Sequence, residues 1–100
     1  MSFKAVILLS RRADLSPEEF RSWWLNEHAP LAAQLPGVRR IVFNACADTT
    51  EYDGISELWF DSQADFEAAY ATELGASVAA DSMAHVRART RLFVEEHPVV

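Results

Sequence analysis

Residues 16 to 30, SPEEFRSWWLNEHAP, predict a helix whose start is sharply defined. Ser16 can serve as the N-cap, Pro17 suits the first helical position, and Glu19 follows the cap by three residues, which together make a capping box. We expect this helix to run from Pro17 to about Leu35. This capping box is the most specific local signal in the sequence.

The rest of the chain alternates between β-branched apolar runs and helical patterns. Strands are predicted at residues 3 to 10, 38 to 47, 55 to 61 and 86 to 96. A second helix begins at Ser62, and a short helix follows Gly75. The order β-α-β-β-α-β is that of the ferredoxin-like fold, an α+β architecture with two helices on one face of a four-stranded antiparallel sheet. We expect one domain spanning residues 1–100, since a chain of this length supports a single core.

Composition and charge exclude several classes of protein. Half of the residues are apolar, which separates the chain from disordered sequences. Fifteen acidic and nine basic residues give a formal net charge of −6, so the chain lacks the cationic excess needed for nucleic acid or a membrane surface. Cys46 is the only cysteine, and no signal-peptide pattern opens the sequence, which favours a cytoplasmic protein. We therefore expect neither nucleic acid nor membrane as a partner.

The alternation of side chains along each strand sorts them onto two faces of the predicted sheet. The set that we assign to the core is nearly all apolar: Ile41, Phe43, Ala45, Leu58, Phe60, Val86, Ala88, Thr90, Leu92 and Val94. The opposite set mixes charge with large rings: Val42, Asn44, Cys46, Ile55, Glu57, Trp59, Arg87, Arg89, Arg91 and Phe93. Such a face is too apolar for water across a whole sheet, although a solvated face is the alternative. We expect a homodimer in which two of these faces pack as an α+β barrel around a small chamber.

The predicted first helix carries an aromatic stripe that contains polar residues. At about 100° per residue, an arc of about 120° holds the stripe, namely Phe20, Trp23, Trp24, Leu31 and Leu35. Glu27 projects into the middle of this arc and His28 to its edge. A carboxylate among aromatic rings is costly unless it is paired, neutral or close to water. Since Pro30 removes a backbone donor, we expect the helix to loosen there and bring Glu27 and His28 to the mouth of a cavity.

Several motifs resemble one known family. SPEEFRSWWLNEHAPLAAQLPGVRR, then YDGISELWFDS, a late Asp81 and a terminal VEEHPV are similar to the EthD family, with H-A-P-L and DGxxELWF as the most specific parts. The resemblance covers nearly the whole chain. It implies a dimeric α+β barrel built from ferredoxin-like subunits. Family members with a known activity resemble cofactor-independent enzymes that isomerise, dehydrate or decarboxylate muconolactones or aromatic polyketide intermediates.

The resemblance also points to individual residues. His28 matches the histidine of the family's helix, and Asp81 matches the acidic residue before the final strand. Glu57 and Trp59 match the ELW of the third strand. The chain departs from the family at His85, where an aromatic residue often follows the acid, so we expect a pocket of different shape or polarity there.

Two candidate catalytic residues follow from side-chain chemistry and the resemblance together. His28 is a candidate general acid or base, because its unperturbed pKa lies near neutrality; otherwise it binds backbone groups freed by Pro30. Glu57 is either an acid of raised pKa or the ion-pair partner of Arg89 or Arg91 across the sheet.

The candidate substrate-binding residues are Trp24, Asn44, Tyr52, Trp59, His85 and Phe93. The tryptophans and Phe93 are candidates for a wall on which a planar substrate stacks, or are simply core and interface residues. Asn44 is a candidate for orienting a carbonyl, and Tyr52 for donating a phenolic hydrogen bond. Cys46 needs a lowered pKa to act as a nucleophile and is otherwise a small buried hydrophobe.

Neither a metal nor a nucleotide cofactor is expected, because the histidines lack metal-ligand spacing and the chain has only three glycines. The residues and the resemblance together favour a cofactor-independent isomerase, dehydratase or decarboxylase that acts on a small aromatic, lactone or polyketide-like molecule. Two alternatives stay open. One is a monooxygenase of the antibiotic-biosynthesis type or a haem-using relative, and the other is a non-catalytic binder of a hydrophobic ligand.

Overall fold

A computed structural model describes residues 2–48 and 51–100 as a four-stranded antiparallel sheet with helices packed on one face. The strands are β1 Phe3–Arg11, β2 Arg40–Ala45, β3 Gly54–Phe60 and β4 Val86–Val94. Their order in the sheet is β2-β3-β1-β4, so β1 and β3 are central and β4 is an edge strand. This arrangement is the predicted ferredoxin-like α+β fold.

The helical segments are α1 Pro17–Trp23, a π-helical turn Trp24–His28, α2 Ala29–Ala32, α3 Gln63–Tyr70 and α4 Glu73–His85. The capping box is present: Ser16 Oγ accepts the backbone N–H of Glu19 at 3.1 Å, and the Glu19 carboxylate accepts the N–H of Ser16 at 2.8 Å. Ser62 caps α3 as predicted, whereas α4 begins earlier than predicted because Thr72 caps it. Within the described part of the chain, no helix has the length and apolar character needed to cross a bilayer.

The first helix changes its winding just before Pro30. Because Pro30 has no N–H, the carbonyl of Asn26 loses its usual helical partner, and the N–H of Ala29 bonds five residues back to the Trp24 carbonyl. This is the loosening that the sequence predicted. A π turn takes more residues to close than an α turn, so it changes the directions in which the residues within it project. His28 is therefore buried at 5 % exposure, and the prediction that Glu27 enters the aromatic stripe is wrong because Glu27 is exposed.

The predicted faces are correct for β2 and β3 but wrong for most of β4. Ile7 and Leu9 of β1 point to the helix side of the sheet, and their partners in β4 are Arg91 and Arg89. Both arginines therefore lie on the helix side as well. The other side, which we call the open face, receives from this strand Ala88, Thr90, Leu92 and Val94. The physical reason is a shift in the pairing of β1 with β4 next to Arg11. Arg11 pairs with Val86, which is buried. One extra residue in a strand moves every later side chain to the opposite face.

Trp24 fills the centre of the helix side. Its side chain is fully buried and stacks on Phe43, with ring centroids 4.4 Å apart and an interplanar angle of 6°. Gly54 leaves room for the indole, since a Cβ at that position would lie 2.6 Å from a Trp24 ring carbon. Among the described residues, none accepts a hydrogen bond from the Trp24 indole N–H. Packing alone therefore holds this ring in place.

Replacing Gly54 with alanine should destabilise the fold by about 1–3 kcal/mol, the usual cost of overpacking a core. The added methyl group meets the Trp24 ring, so the cost should shrink in a Trp24→Leu background. Urea unfolding of the two single variants and the double variant measures this coupling. An equal cost of Gly54→Ala in both backgrounds would contradict the packing argument.

Candidate active site

A small cavity lies between the helices and the sheet, beside the π turn. Its apolar wall consists of Ile7, Leu9, Ala32, Phe43, Leu58, Val78 and Ala79, and its polar groups come from His28, Ser56, Tyr70, Ser82 and Arg89. The cavity volume is about 20 Å³, which is room for about one water molecule. Convergent polar groups in an apolar wall are typical of small-molecule sites, but such sites usually have roughly 300–1,000 Å³, so this cavity must widen to admit an organic molecule.

His28 is held by a hydrogen bond to Asp81 of α4. The Nδ1 atom of the imidazole lies 2.8 Å from Oδ2 of Asp81, and the indole N–H of Trp23 reaches both carboxylate oxygens at 3.2 Å. An ionised carboxylate only accepts hydrogen bonds, so we assign the imidazole proton to Nδ1. The free lone pair is consequently on Nε2, the nitrogen on the side away from Asp81.

The Nε2 atom of His28 meets the hydroxyl of Ser82. The two atoms are 3.2 Å apart, and both side chains are buried and line the cavity. With Nδ1 protonated, the Ser82 hydroxyl donates this hydrogen bond and Nε2 accepts it. Since Asp81 and Ser82 are adjacent on α4, one helix turn positions both edges of the imidazole.

Burial lowers the pKa of His28, and the hydrogen bond and charge of Asp81 oppose that shift only in part. His85 adds a further, smaller lowering. The neutral imidazole is therefore the form present at neutral pH, and its Nε2 can take up a proton. In this site Asp81 orients the ring and would stabilise the imidazolium formed by proton uptake.

His85 contacts Trp23 and Asp81, the residues beside His28, but it does not line the cavity. Its ring stacks on Trp23 with a centroid distance of 4.1 Å and an interplanar angle of 13°, and its Nδ1 lies 2.8 Å from the Asp81 carbonyl oxygen. His85 thus packs against one face of the Trp23 indole, whose N–H donates to Asp81. The predicted role of His85 as a substrate-binding residue gains no support from this position.

Glu57 lies on the open face, so the sheet separates it from His28. Its carboxylate pairs with Lys4 Nζ at 2.8 Å and accepts from Asn44 Nδ2 at 3.0 Å. The bond from Lys4, followed by that from Asn44, lowers the pKa of Glu57. Neither the predicted acid of raised pKa nor the predicted arginine pair is present. Glu57 therefore does not line the cavity beside His28, because neighbouring strand residues point to opposite faces.

Trp59 also lies on the open face, away from the cavity. Its ring lies 4.6 Å from Lys4 Nζ and 4.7 Å from the Arg40 guanidinium carbon, both within the range of cation–π contact. The indole N–H donates to Glu96 of the C-terminal segment at 3.3 Å. Together with Glu57 and Asn44, Trp59 forms a polar cluster on the open face and does not contribute to a site around His28.

The other predicted binding residues are dispersed. Trp24 is a core residue, and Phe93 packs at the edge of the helix side against Phe3, with ring centroids 5.0 Å apart. Tyr52 is half-buried in the β2–β3 connection. The predicted stacking wall of Trp24, Trp59 and Phe93 is therefore absent, because the sheet and the core separate the three rings.

Cys46 and metal binding gain no support from the geometry. Burial, followed by the charge of Asp53, raises the pKa of the Cys46 thiol, which disfavours the thiolate. Its backbone carbonyl accepts a hydrogen bond from Arg21 at 2.9 Å. Across residues 2–48 and 51–100, no three His, Cys, Asp or Glu side chains are grouped so as to hold a metal ion.

Sequence reasoning missed Ser56, Tyr70, Ser82 and Arg89 as polar groups of the cavity. A signal existed for Ser82, because it follows the buried Val78 by four residues and so shares its helix face. Ser56 alternates with Leu58 on the buried side of β3 and was detectable in the same way. Arg89 was not, because the register shift at the start of β4 moves it to the helix side.

The EthD domain model matches residues 12–86, and the chain belongs to the EthD domain family. An uncharacterized 11.0 kDa protein of Rhodococcus erythropolis, from the thcB-thcC intergenic region, is 27% identical over 103 residues, covering 98% of each chain. The structure of an EthD-family protein from Bacillus halodurans matches 97% of this chain and all of its own, with a TM-score of 0.85 and 22% identity.

Two further solved structures share the fold at low identity. A dimeric ferredoxin-like protein of unknown function from Thermobifida fusca has a TM-score of 0.77 and 16% identity, covering 94% of this chain and 90% of its own. SnoaB, a cofactor-independent oxygenase from Streptomyces nogalater, has a TM-score of 0.76 and 15% identity, with coverages of 99% and 96%. Similar chains thus include a dimer and an enzyme that uses no cofactor.

We predict that the pKa of His28, followed by NMR titration of its ring, lies below the reference value of about 6.5. In Asp81→Asn it should fall further, because the carboxylate is what raises it. In the wild type, the unfolded chain therefore takes up the His28 proton more readily than the folded chain does. The contribution of this histidine to the free energy of unfolding is complete above about pH 6.5 and is lost as the pH falls through the lower pKa of the folded state. Urea unfolding at several pH values checks this sign.

His97→Gln is the control, since it removes an exposed histidine far along the chain and should leave the His28 titration unchanged. A His28 pKa above the reference value, or one that rises in Asp81→Asn, would contradict the assigned electrostatics.

Proposed function

We propose that the protein is a cofactor-independent acid–base enzyme in which His28 moves a proton on a small organic substrate. The observation that best supports this is the geometry of one ring, with Nδ1 bonded to Asp81 at 2.8 Å and Nε2 directed to the cavity. A neutral histidine oriented by a carboxylate is a competent general base near pH 7.

The proposed step is proton abstraction from a carbon next to a carbonyl group. Nε2 of His28 takes the proton, and Asp81 stabilises the resulting imidazolium without itself becoming protonated. Returning the proton to another carbon gives isomerisation, and delivering it to a leaving hydroxyl gives dehydration. One positioned base typically supplies about 10²–10⁴-fold in rate, which suits an already activated carbon acid.

Substrate entry requires the cavity to widen, since it has room for only about one water molecule. Tyr70 and Arg89 are only half-buried, so they lie where the cavity approaches solvent. Rotation of these two side chains is the least costly way to open it, because the other polar lining groups are buried in the core. The Ser82 hydroxyl then gives up Nε2 to the substrate.

Ser82, His28 and Asp81 have the connectivity of a nucleophilic triad, but we do not assign Ser82 as a nucleophile. It lies near the end of α4, where backbone N–H groups bond within the helix and are not free to stabilise an oxyanion. Its supported role is to hold the Nε2 edge of the imidazole until substrate arrives.

An oxygenase reaction is the second candidate, favoured by the structural similarity to the cofactor-independent oxygenase SnoaB. The same base would act there by removing a proton from an electron-rich aromatic substrate, which makes that substrate a better reductant of oxygen. Oxygen uptake that accompanies substrate loss separates this candidate from isomerisation or dehydration, which consume no oxygen. Retention of a ligand without conversion would instead indicate a carrier protein.

We further propose that the open face pairs with a second copy of the chain. Leu92 and Val94 are 46% and 37% exposed on this face, and they adjoin the Lys4–Glu57–Trp59 cluster across β1. Exposed apolar strand residues next to a self-complementary set of charges suit a two-fold interface. The dimeric state of the Thermobifida fusca protein supports dimerisation of this chain, and the exposed residues of the open face supply the argument for where it occurs.

His28→Asn should lower kcat by about 10²–10⁴-fold, because asparagine keeps a donor for Asp81 but offers no base. Conversion is followed by mass spectrometry with a panel of lactones and hydroxylated aromatic ketones, and circular dichroism verifies the fold. Ser77→Ala is the control, because Ser77 is exposed on α4 and bonds only to a Glu73 carbonyl of its own helix. Undiminished turnover in His28→Asn would remove histidine from the mechanism.

Leu92→Glu should shift the protein from dimer to monomer in sedimentation. The proposed two-fold interface would otherwise bury two glutamate charges, one from each subunit. Met83→Glu introduces the same charge at an exposed site on α4 and should leave the dimer intact. A wild-type monomer at all concentrations, or equal effects of both variants, would disprove the open-face interface.

A further inference from the structure

We propose that the cavity recognises an organic anion and that Arg89 binds its carboxylate. This inference rests on the proposed function, because it names the class of substrate for the same site. It follows from the position of Arg89 on β4, its place in the cavity wall and the absence of a carboxylate partner for it among the residues that the structure describes.

The register of the sheet brings Arg89 to the site. It pairs with Leu9 of β1, whose side chain points to the helices and lines the same cavity. Residues at paired positions share a face, so the Arg89 side chain extends under the helical layer and not toward the open face. It is half-buried there, next to the cavity that also contains Nε2 of His28.

Arg89 has no carboxylate partner within 4.0 Å among the residues that the structure describes. By contrast, Arg11 pairs with Asp53 at 2.9 Å and Arg39 with Asp61 at 2.6 Å. The carboxylate of Asp81, which bonds to the cavity residue His28, has its oxygens occupied by His28 and Trp23. The cavity therefore contains a guanidinium whose charge is not balanced from within.

A guanidinium withdrawn from water without a partner is unfavourable, and burial accordingly lowers the pKa of Arg89 while leaving it protonated at neutral pH. An incoming carboxylate would offset this free-energy cost by accepting two parallel N–H···O hydrogen bonds from the guanidinium. The neighbouring Tyr70 favours the same ligand, since burial raises the pKa of its phenol and keeps it an uncharged donor.

The two functional groups divide the substrate between them. A carboxylate held by Arg89 at the rim places the adjoining carbon skeleton against the apolar wall, toward the base His28. As His28 removes a proton, negative charge spreads into the substrate, and the positive charge of Arg89 in the same cavity lining stabilises it. Arg89 therefore contributes to binding and, for a conjugated acid, to the transition state.

The test uses benzoate and benzamide, two probes of similar shape that differ in charge. Isothermal calorimetry on the full chain should show benzoate bound about tenfold or more tightly than benzamide, since hydrogen bonds to charged groups are the stronger ones. In Arg89→Gln the preference should vanish, and in Arg89→Lys it should persist in part. Arg91→Gln is the matched control, because Arg91 is exposed on the same strand, with its guanidinium 4.7 Å from the Phe93 ring, and should keep the preference.

No binding of benzoate to the wild type, no preference for it over benzamide, or a preference that survives Arg89→Gln in folded protein would overturn the inference. The outcome is separable from that of the proposed function. If His28→Asn retains both benzoate binding and turnover, the catalytic proposal fails and the anion site stands. If that variant loses turnover while Arg89→Gln keeps the preference, only the anion site fails.

Discussion

The hydrogen bond between Asp81 and His28 ties together two helical segments on the same face of the sheet and orients the proposed base. It connects the π turn after α1 to the end of α4, across a separation of 53 residues in sequence. The same carboxylate accepts from Trp23, whose other face is covered by His85. Because one acceptor group serves both donors, the position of α4, the tautomer of the imidazole and the direction of Nε2 are set together.

The π turn is what makes that bond possible. An uninterrupted α-helix would have carried Glu27 into the aromatic stripe and left His28 at its edge, as the regular projection indicates. The missing N–H of Pro30 instead admits a five-residue hydrogen bond, and the turn reorients His28 into the core and Glu27 into water. A π turn inside an α-helix is commonly found at functional sites, and here the connection is direct because it orients the proposed base.

The sheet separates the proposed catalytic cavity from the proposed dimer interface. On the helix side lie the cavity, the histidine and an unbalanced arginine; on the open face, the Lys4–Glu57–Trp59 cluster and exposed apolar residues of β4. The sequence predicted a chamber between two subunits, whereas the cavity beside His28 lies between the helices and the sheet of one subunit. The two charged or titratable groups that shift the pKa of His28 beside burial, Asp81 and His85, belong to the same chain.

The sequence by itself determined the element order, the capped start of α1 and the disturbance at Pro30. Those are local properties, fixed by capping chemistry, side-chain period and the missing proline donor. Only the tertiary structure decided that Asp81 and Ser82 flank His28, that Glu57 lies across the sheet from it, and that Arg89 enters the cavity. The reason is geometric. The face to which side chains point changes wherever one residue is inserted, as in the π turn and at the register shift of β4. A contact between residues 53 positions apart follows from packing and not from spacing in the sequence.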